Sequence, residues 1–405
     1  MKVLVLSVTA GQGHNSCGKA VVEACTRKGI ESVMMDTLLQ SSKLVANSVD
    51  KVYVSMTLHA PGVWKKMYDD MLKENKVRSR QGTGKLIATW FYKEIVKLIQ
   101  SFEPDAIVCT HVFAGIILTY IRKRMGLNIP FIGVNTDFTL LPMWEDTELD
   151  LYVLSAEALC HSAIARGIPG EKLFPHGIPI HNRFASAMPK ADARKELGIE
   201  DKPTVLIMSG SMGFGNLPQV VQSLDALPMD LQMLVVCGKN QKMYEKISAL
   251  KTKKTVHTYG FVNNVEVMMD ASDMILTKPG GLSTSEALAK NLPMILLDPI
   301  PGLEERNCLF LAAHGAGIMS NDRYTPAEAV MGLLSEPERL SQILTMQRKL
   351  GKPNSADDLV NKIMEMVEQQ KNRESCPKEE SQNIHVPSEE EADEVIRKTI
   401  ELRDL

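Results

Sequence analysis

Between Thr277 and Asn307 the chain reads TKPGGLSTSEALAKNLPMILLDPIPGLEERN, and these residue types in this order fit the handling of a nucleotide sugar. Pro279, Gly280 and Gly281 end the apolar run ASDMILT, and Ser283, Thr284 and Ser285 then place three hydroxyls at the start of a helix. A helix start presents unpaired N–H groups and the positive end of the dipole, which favours an anion such as a diphosphate. Glu286 follows one turn in, where a carboxylate can accept both hydroxyls of a ribose. After the strand PMILLD, the segment PGLEERN reads as a turn that offers Glu304, Glu305 and Asn307 to sugar hydroxyls. His14 lies on the glycine turn TAGQGH, and His111 and Asp137 close the strands DAIVCT and FIGVNTD. A hydroxyl acceptor is too weak an acid to ionise at pH 7, so His14 or Asp137 would be needed as a general base.

Such groups need strands that end at one edge of a sheet and helices that begin there. KVLVLSV feeds a glycine turn and an amphipathic helix, and TVLIMSG feeds a second glycine loop, GSMGFGN, with its own helix. Two open α/β units of this kind bind ligands beyond the carboxyl ends of their strands. In the second loop Gly210, Gly213 and Gly215 let the backbone approach a ligand closely. The first turn nearly matches two other motifs. GHNSCGKA lacks the hydroxyl of a phosphate-binding P-loop because Ala20 stands there, and GQGHNS has Ser16 where a dinucleotide fingerprint has its third glycine. A histidine on a glycine turn has little to pack against, which favours a site role for His14.

The polar stretch MPKADARKELGIEDKP separates the units, so the expected organisation is 1–183, a linker at 184–202, 203–370, and a charged tail at 371–405. A chain of 405 residues accommodates two ordinary cores, and a net charge of -3 excludes a bulk nucleic-acid binder. The seven cysteines are scattered without CxxC or Cys/His spacing and read as reduced thiols of a cytoplasmic protein. No stretch approaches eighteen apolar residues, so a lipid substrate would be met from the membrane surface. Residues 60–100 hold nine basic and four acidic side chains among Trp64, Met67, Met71, Trp90 and Phe91. That mixture, including Lys65, Lys66 and Tyr68, suits an anionic bilayer surface.

TKPGG, three hydroxyl residues, EA and PxxLxxPxPGxExxN together resemble the donor-binding segment of processive diacylglycerol glucosyltransferases and monogalactosyldiacylglycerol synthases, which belong with the MurG-like glycosyltransferases of the GT-B fold. The similarity runs from residue 1 to about residue 370 and includes the GxGH turn, the stretch GIPIHNRF and TDFTLLPMW. The resemblance implies two Rossmann-like doubly wound domains facing a cleft. It places Gly13, His14 and Trp144 on the acceptor side, Gly210 and Gly213 beside the nucleotide diphosphate with Gly280, Gly281 and Ser283 to Ser285, and Phe261 and Val262 at the uracil ring. The implied reaction is inverting transfer of glucose or galactose from a UDP-hexose to diacylglycerol by a protein peripheral to the cytoplasmic membrane. The chain has no Asp-x-Asp clamp, so no metal and no cofactor is expected. It departs from TDFxxHxxW at Leu141, which stands where relatives carry histidine. That departure keeps three alternatives open: a MurG-like transferase to another lipid, a UDP-sugar epimerase of the same architecture, or a UDP-sugar-binding regulator without transfer.

Overall fold

The computed structural model describes residues 1–8, 12–37, 92–208, 210, 216–297, 299 and 302–375. Trp64, Lys65, Lys66, Tyr68, Gly213 and the charged tail beyond residue 375 lie outside the described residues.

The described strands form two six-stranded sheets. The first contains β1 (Lys2–Ser7), β2 (Glu31–Asp36), β3 (Ala106–Cys109), β4 (Phe131–Val134), β5 (Leu151–Val153) and β6 (Leu173–Phe174), in the order β2-β1-β3-β4-β5-β6. The second contains β7 (Thr204–Met208), β8 (Gln232–Val236), β9 (Val256–Tyr259), β10 (Met274–Thr277), β11 (Met294–Leu296) and β12 (Gly317–Met319), in the order β12-β11-β10-β7-β8-β9. All pairings within both sheets are parallel. Parallel sheets are covered by helices on both faces, which is why KVLVLS, AIVC, FIGV, TVLIM and MILT are apolar runs rather than alternating ones.

The helices are α1 (Gln12–Arg27), α2 (92–102), α3 (Val112–Met125), α4 (Leu159–Ala165), α5 (Lys190–Leu197), α6 (Leu217–Asp225), α7 (Gln241–Ser248), α8 (Val265–Ala271), α9 (Gly281–Ala289), α10 (Leu303–Ala313), α11 (Pro326–Ser335), α12 (Pro337–Leu350) and α13 (Ser355–Ser375). Helix α1 buries Cys17, Ala20, Val21, Ala24 and Cys25 along one face, the spacing its sequence predicts. Helix α3 begins where His111 accepts the N–H of Phe113 and ends at Gly126, whose φ of 61° stops it.

The order of strands reverses between β1 and β3 in the first sheet and between β7 and β10 in the second. Such switch points open a crevice at the carboxyl edge of the sheet. The chain leaves β1 toward His14 and β3 toward His111, while β7 leads to Gly210 and β10 to Pro279-Gly280-Gly281. The motifs singled out in the sequence therefore gather at two crevices.

The linker is fastened to the second sheet. Asp273 accepts from Arg194 at 2.9 Å and from the N–H of Thr204 at 2.7 Å, and the buried Lys290–Asp270 pair at 2.7 Å also holds the N–H of Met188. Helix α13 returns to the first sheet and lies along α1. Arg27 meets Asp357 at 2.9 Å, Lys371 meets Asp105 at 2.9 Å, and Ser355 donates to the carbonyl of Ile178 at 2.9 Å. A sequence division at residue 370 does not capture this return, because it is made by partners far apart in the chain. Among the described residues no helix is long and apolar enough to cross a membrane.

Candidate active site

His14 lies in the first turn of α1 rather than on a loop, and three neighbours fix its ring. Its Nδ1 is 2.7 Å from the carbonyl oxygen of Thr110 and 3.2 Å from the Thr136 hydroxyl. A carbonyl only accepts, so Nδ1 carries the hydrogen and Nε2 keeps its lone pair. His111 stands edge-on to it at 4.7 Å between ring centres. Burial lowers the pKa of His14 against the opposing pull of the Thr110 carbonyl, and burial followed by His14 itself lowers His111 well below the ordinary imidazole range. Both rings are therefore neutral at pH 7, and His14 presents a free basic nitrogen.

Asp137 follows Thr136 in the loop after β4 and is only 6% exposed. Its Oδ1 accepts from Asn307 at 2.8 Å. Burial raises its pKa to about 6, with a smaller push from Glu304 and an opposing pull from the Asn307 amide. Asn307 lies in α10 of the second half of the chain, so this contact crosses the cleft. Nearby, Gly281 approaches Thr136 so closely that a Cβ on it would stand 1.9 Å from the Thr136 carbonyl oxygen. Phe138 and Phe310 pack across the same seam at 5.4 Å, and Gly13 faces Leu282.

Of the residues expected on the donor side, Gly280, Gly281 and Ser283 to Glu286 lie at the start of α9. Gly280 precedes the helix, and its first N–H groups have no acceptor within it. Thr284 turns its hydroxyl back onto the carbonyl of Gly280 at 2.8 Å and is fully buried, whereas Ser283 is partly exposed. Ser285 is buried. Glu286 is pushed up to about 8, first by burial, with Arg183 opposing and Glu266 adding to the shift. Phe261 is 57% exposed with the Lys239 ammonium 5.8 Å from its ring centre, and Val262 is half-buried beside it. Gly210 has a φ of 71°, in the region that favours glycine.

Three expectations meet a different arrangement. Glu304, Glu305 and Asn307 are helical residues of α10, not members of a turn, because the helix begins at Leu303. Glu305 folds back onto the N–H of Gly302 at 3.1 Å, and both amide hydrogens and the carbonyl oxygen of Asn307 are engaged with protein groups. Trp144, expected on the acceptor side, is 1% exposed and fills the core against Gly115, Gly133, Leu149 and Tyr152. It is a packing residue.

The sequence reading marked His111 as a strand end but missed its contact with His14, and it missed Arg183 altogether. Arg183 donates to the carbonyl of Asn263, the residue that follows Val262, at 2.8 Å and lies 3.4 Å from Glu266. Nothing local in NRF announces a partner eighty residues away. Among the described residues no cluster of three or more His, Cys, Asp or Glu could hold a metal ion.

Residues 14–180 match the family model of monogalactosyldiacylglycerol (MGDG) synthase, and residues 204–363 match that of the glycosyltransferase family 28 C-terminal domain. The chain thus resembles MGDG synthase in its first half and the family 28 C-terminal domain in its second, on a GT-B fold. It is 28% identical over 372 residues to a processive diacylglycerol beta-glucosyltransferase of Bacillus cereus (strain AH187), covering 90% of this chain and 93% of that one. Its fold is that of MurG from Acinetobacter baumannii, with a TM-score of 0.58, 16% identity and coverage of 90% and 99% of the two chains. UDP-GlcNAc 2-epimerase from Neisseria meningitidis, solved bound to UDP-GlcNAc, shares the fold with a TM-score of 0.54 at 15% identity, over 90% of this chain and all of that one. In this glycosyltransferase the two family models meet at the cleft, with His14 and Asp137 on one wall and α9 and α10 on the other.

Proposed function

We propose that this glycosyltransferase moves a hexose from a UDP-hexose to diacylglycerol at a membrane surface, with inversion at the anomeric carbon and without a metal. The reading is carried by His14, a neutral imidazole whose Nδ1 is committed to the Thr110 carbonyl and whose Nε2 is free, held at the seam with the glycine turn of α9. The diphosphate would lie at the start of α9 on its N–H groups and the Ser283 hydroxyl, the ribose on Glu286, and the uracil beside Phe261 and Val262. Glu304 and Glu305, in the first turn of α10, would lie toward the hexose.

The acceptor hydroxyl attacks the anomeric carbon from the face opposite UDP. The new C–O bond forms as the bond to the diphosphate oxygen breaks, and the hydroxyl proton passes to Nε2 of His14. The imidazolium so formed keeps its Nδ1–H on the Thr110 carbonyl, and Asp137, the residue after Thr136, would add negative charge on the same wall. The leaving diphosphate gains from the helix dipole and the backbone N–H groups, a type of stabilisation that does not need a cation. The similarity to a diacylglycerol glucosyltransferase supports the acceptor.

The test is transfer of label from UDP-glucose and, separately, UDP-galactose into organic-extractable lipid, using vesicles with and without diacylglycerol. Diacylglycerol-dependent label from one donor is the expected result and names the sugar. UDP binding without labelled lipid from either donor would overturn the acceptor assignment. A hexose changed without any lipid present would point to epimerisation instead.

A further inference from the structure

Asn307 was expected to touch the sugar, yet its side chain is fully buried and spans the cleft. One amide hydrogen goes to Oδ1 of Asp137 at 2.8 Å, and the other goes to the carbonyl of Pro279 at 3.0 Å, in its own half of the molecule. The amide oxygen accepts the N–H of Phe138 at 2.8 Å. Two of the three bonds therefore cross from α10 to the loop after β4, and the third anchors the amide to the turn that leads into α9. Gly281 against Thr136 and Phe310 against Phe138 flank the bridge on the same seam. Opening the cleft breaks both crossing bonds at once and leaves the Asp137 carboxylate without this donor.

We infer that Asn307 is a positioning residue that ties the orientation and charge of Asp137 to closure of the two domains. The inference rests on the transfer reading above for its kinetic consequences, but the bridge itself does not. Contact with the hexose would require Asn307 to give up buried hydrogen bonds, each expensive to leave unmade. Among the groups that act on Asp137, Glu304 from α10 disfavours its ionised form, and His14 from α1 reaches the neighbouring Thr136 hydroxyl as a neutral ring. Asn307 supplies the hydrogen bond that favours the carboxylate. Closure around a donor would thus complete the acid–base shell only when both halves are in place, which limits loss of the activated sugar to water.

The experiment uses the full chain with Asn307→Ala and the isosteric Asn307→Asp, which keeps the side-chain volume if the alanine variant folds poorly. The expected result is a kcat reduced by about tenfold or more, with KM for UDP-hexose and calorimetric Kd for UDP within about threefold of wild type. In Asn307→Asp the acidic limb of the kcat profile should move to higher pH, because two carboxylates then share the site. Asp137→Asn combined with Asn307→Ala should be no worse than Asp137→Asn alone. A raised KM and Kd with unchanged kcat and pH profile would assign Asn307 to the sugar and overturn the inference, as would additive losses in the double variant. If wild type labels no lipid at all, the transfer reading fails. The bridge is then read by small-angle scattering with UDP bound, where Asn307→Asp should be more open than wild type and equal radii of gyration would overturn it.

Discussion

Replacing Gly281 with alanine perturbs the seam at its tightest point. The added methyl would stand 1.9 Å from the Thr136 carbonyl oxygen, 2.9 Å from its carbon and 3.2 Å from Cδ1 of Ile178. Ordinary contact begins near 3.4 Å, so the two walls must separate by about 1.5 Å at this point. The obstacle is backbone, not the end of a flexible chain. Thr136 holds His14 through its hydroxyl and precedes Asp137, so the same displacement disturbs the base and the Asn307–Asp137 bond at 2.8 Å. A misplacement of this size around reacting groups is worth about 10²-fold in rate. Within the helix alanine is favoured over glycine by about 1 kcal/mol, so α9 itself is not weakened. The assay is kcat/KM for label transfer beside a thermal melt and UDP calorimetry. We expect kcat/KM to fall about a hundredfold in the variant that remains folded by the melt. Wild-type kcat/KM in a folded Gly281→Ala variant would refute the closed seam as the working state.

Asp137→Asn separates stability from activity. Burial raises the Asp137 pKa from 3.8 to about 6, so the folded wild type gains protons relative to the unfolded chain and loses stability as pH rises through that window. The asparagine variant escapes this loss, and denaturant titration should find it more stable by up to about 3 kcal/mol at pH 7 but not below pH 4, with turnover depressed. An equal gain at both pH values would contradict the assignment. Trp144→Ala should lower stability by about 3–5 kcal/mol with lipid KM unchanged in the folded fraction, because the indole is core. A stable variant with a raised lipid KM would return Trp144 to the acceptor side. Transfer measured in excess chelator should match that in magnesium, and activity restored only by a divalent cation would contradict a cation-free leaving group.

Much of the fold is visible in the sequence because both sheets are buried on two faces. Runs such as KVLVLS, TVLIM and MILT then have no alternation to hide them, and glycine follows β1, β7 and β10 where the chain must turn into a helix. The donor side is legible for a related reason: PGGLSTSE is local, with strand end, helix start and hydroxyls inside one stretch. What the sequence hides is made by distant partners. His14 gains its tautomer from a carbonyl at Thr110, and Arg183 finds Asn263 across the linker. Asn307 finds Asp137 from 170 positions away. Trp144 misleads because an aromatic beside a family motif looks like a contact residue, yet Gly115 and Gly133 leave the space that its ring fills. The acidic segment PGLEERN reads as a turn from its proline and glycine, but its carboxylates suit the first turn of α10, where they meet the positive end of the dipole.

In the proposed mechanism His14, through Nε2, takes the proton of a lipid hydroxyl while a UDP-hexose is held by the opposite wall. Its most direct test is kcat for transfer of hexose to diacylglycerol in wild type and His14→Ala, with UDP affinity measured on the same preparations. The expected kcat is lowered by about 10²- to 10⁴-fold in the variant with UDP affinity essentially unchanged. Undiminished transfer by His14→Ala, or a loss of UDP binding as large as the loss of turnover, would contradict it.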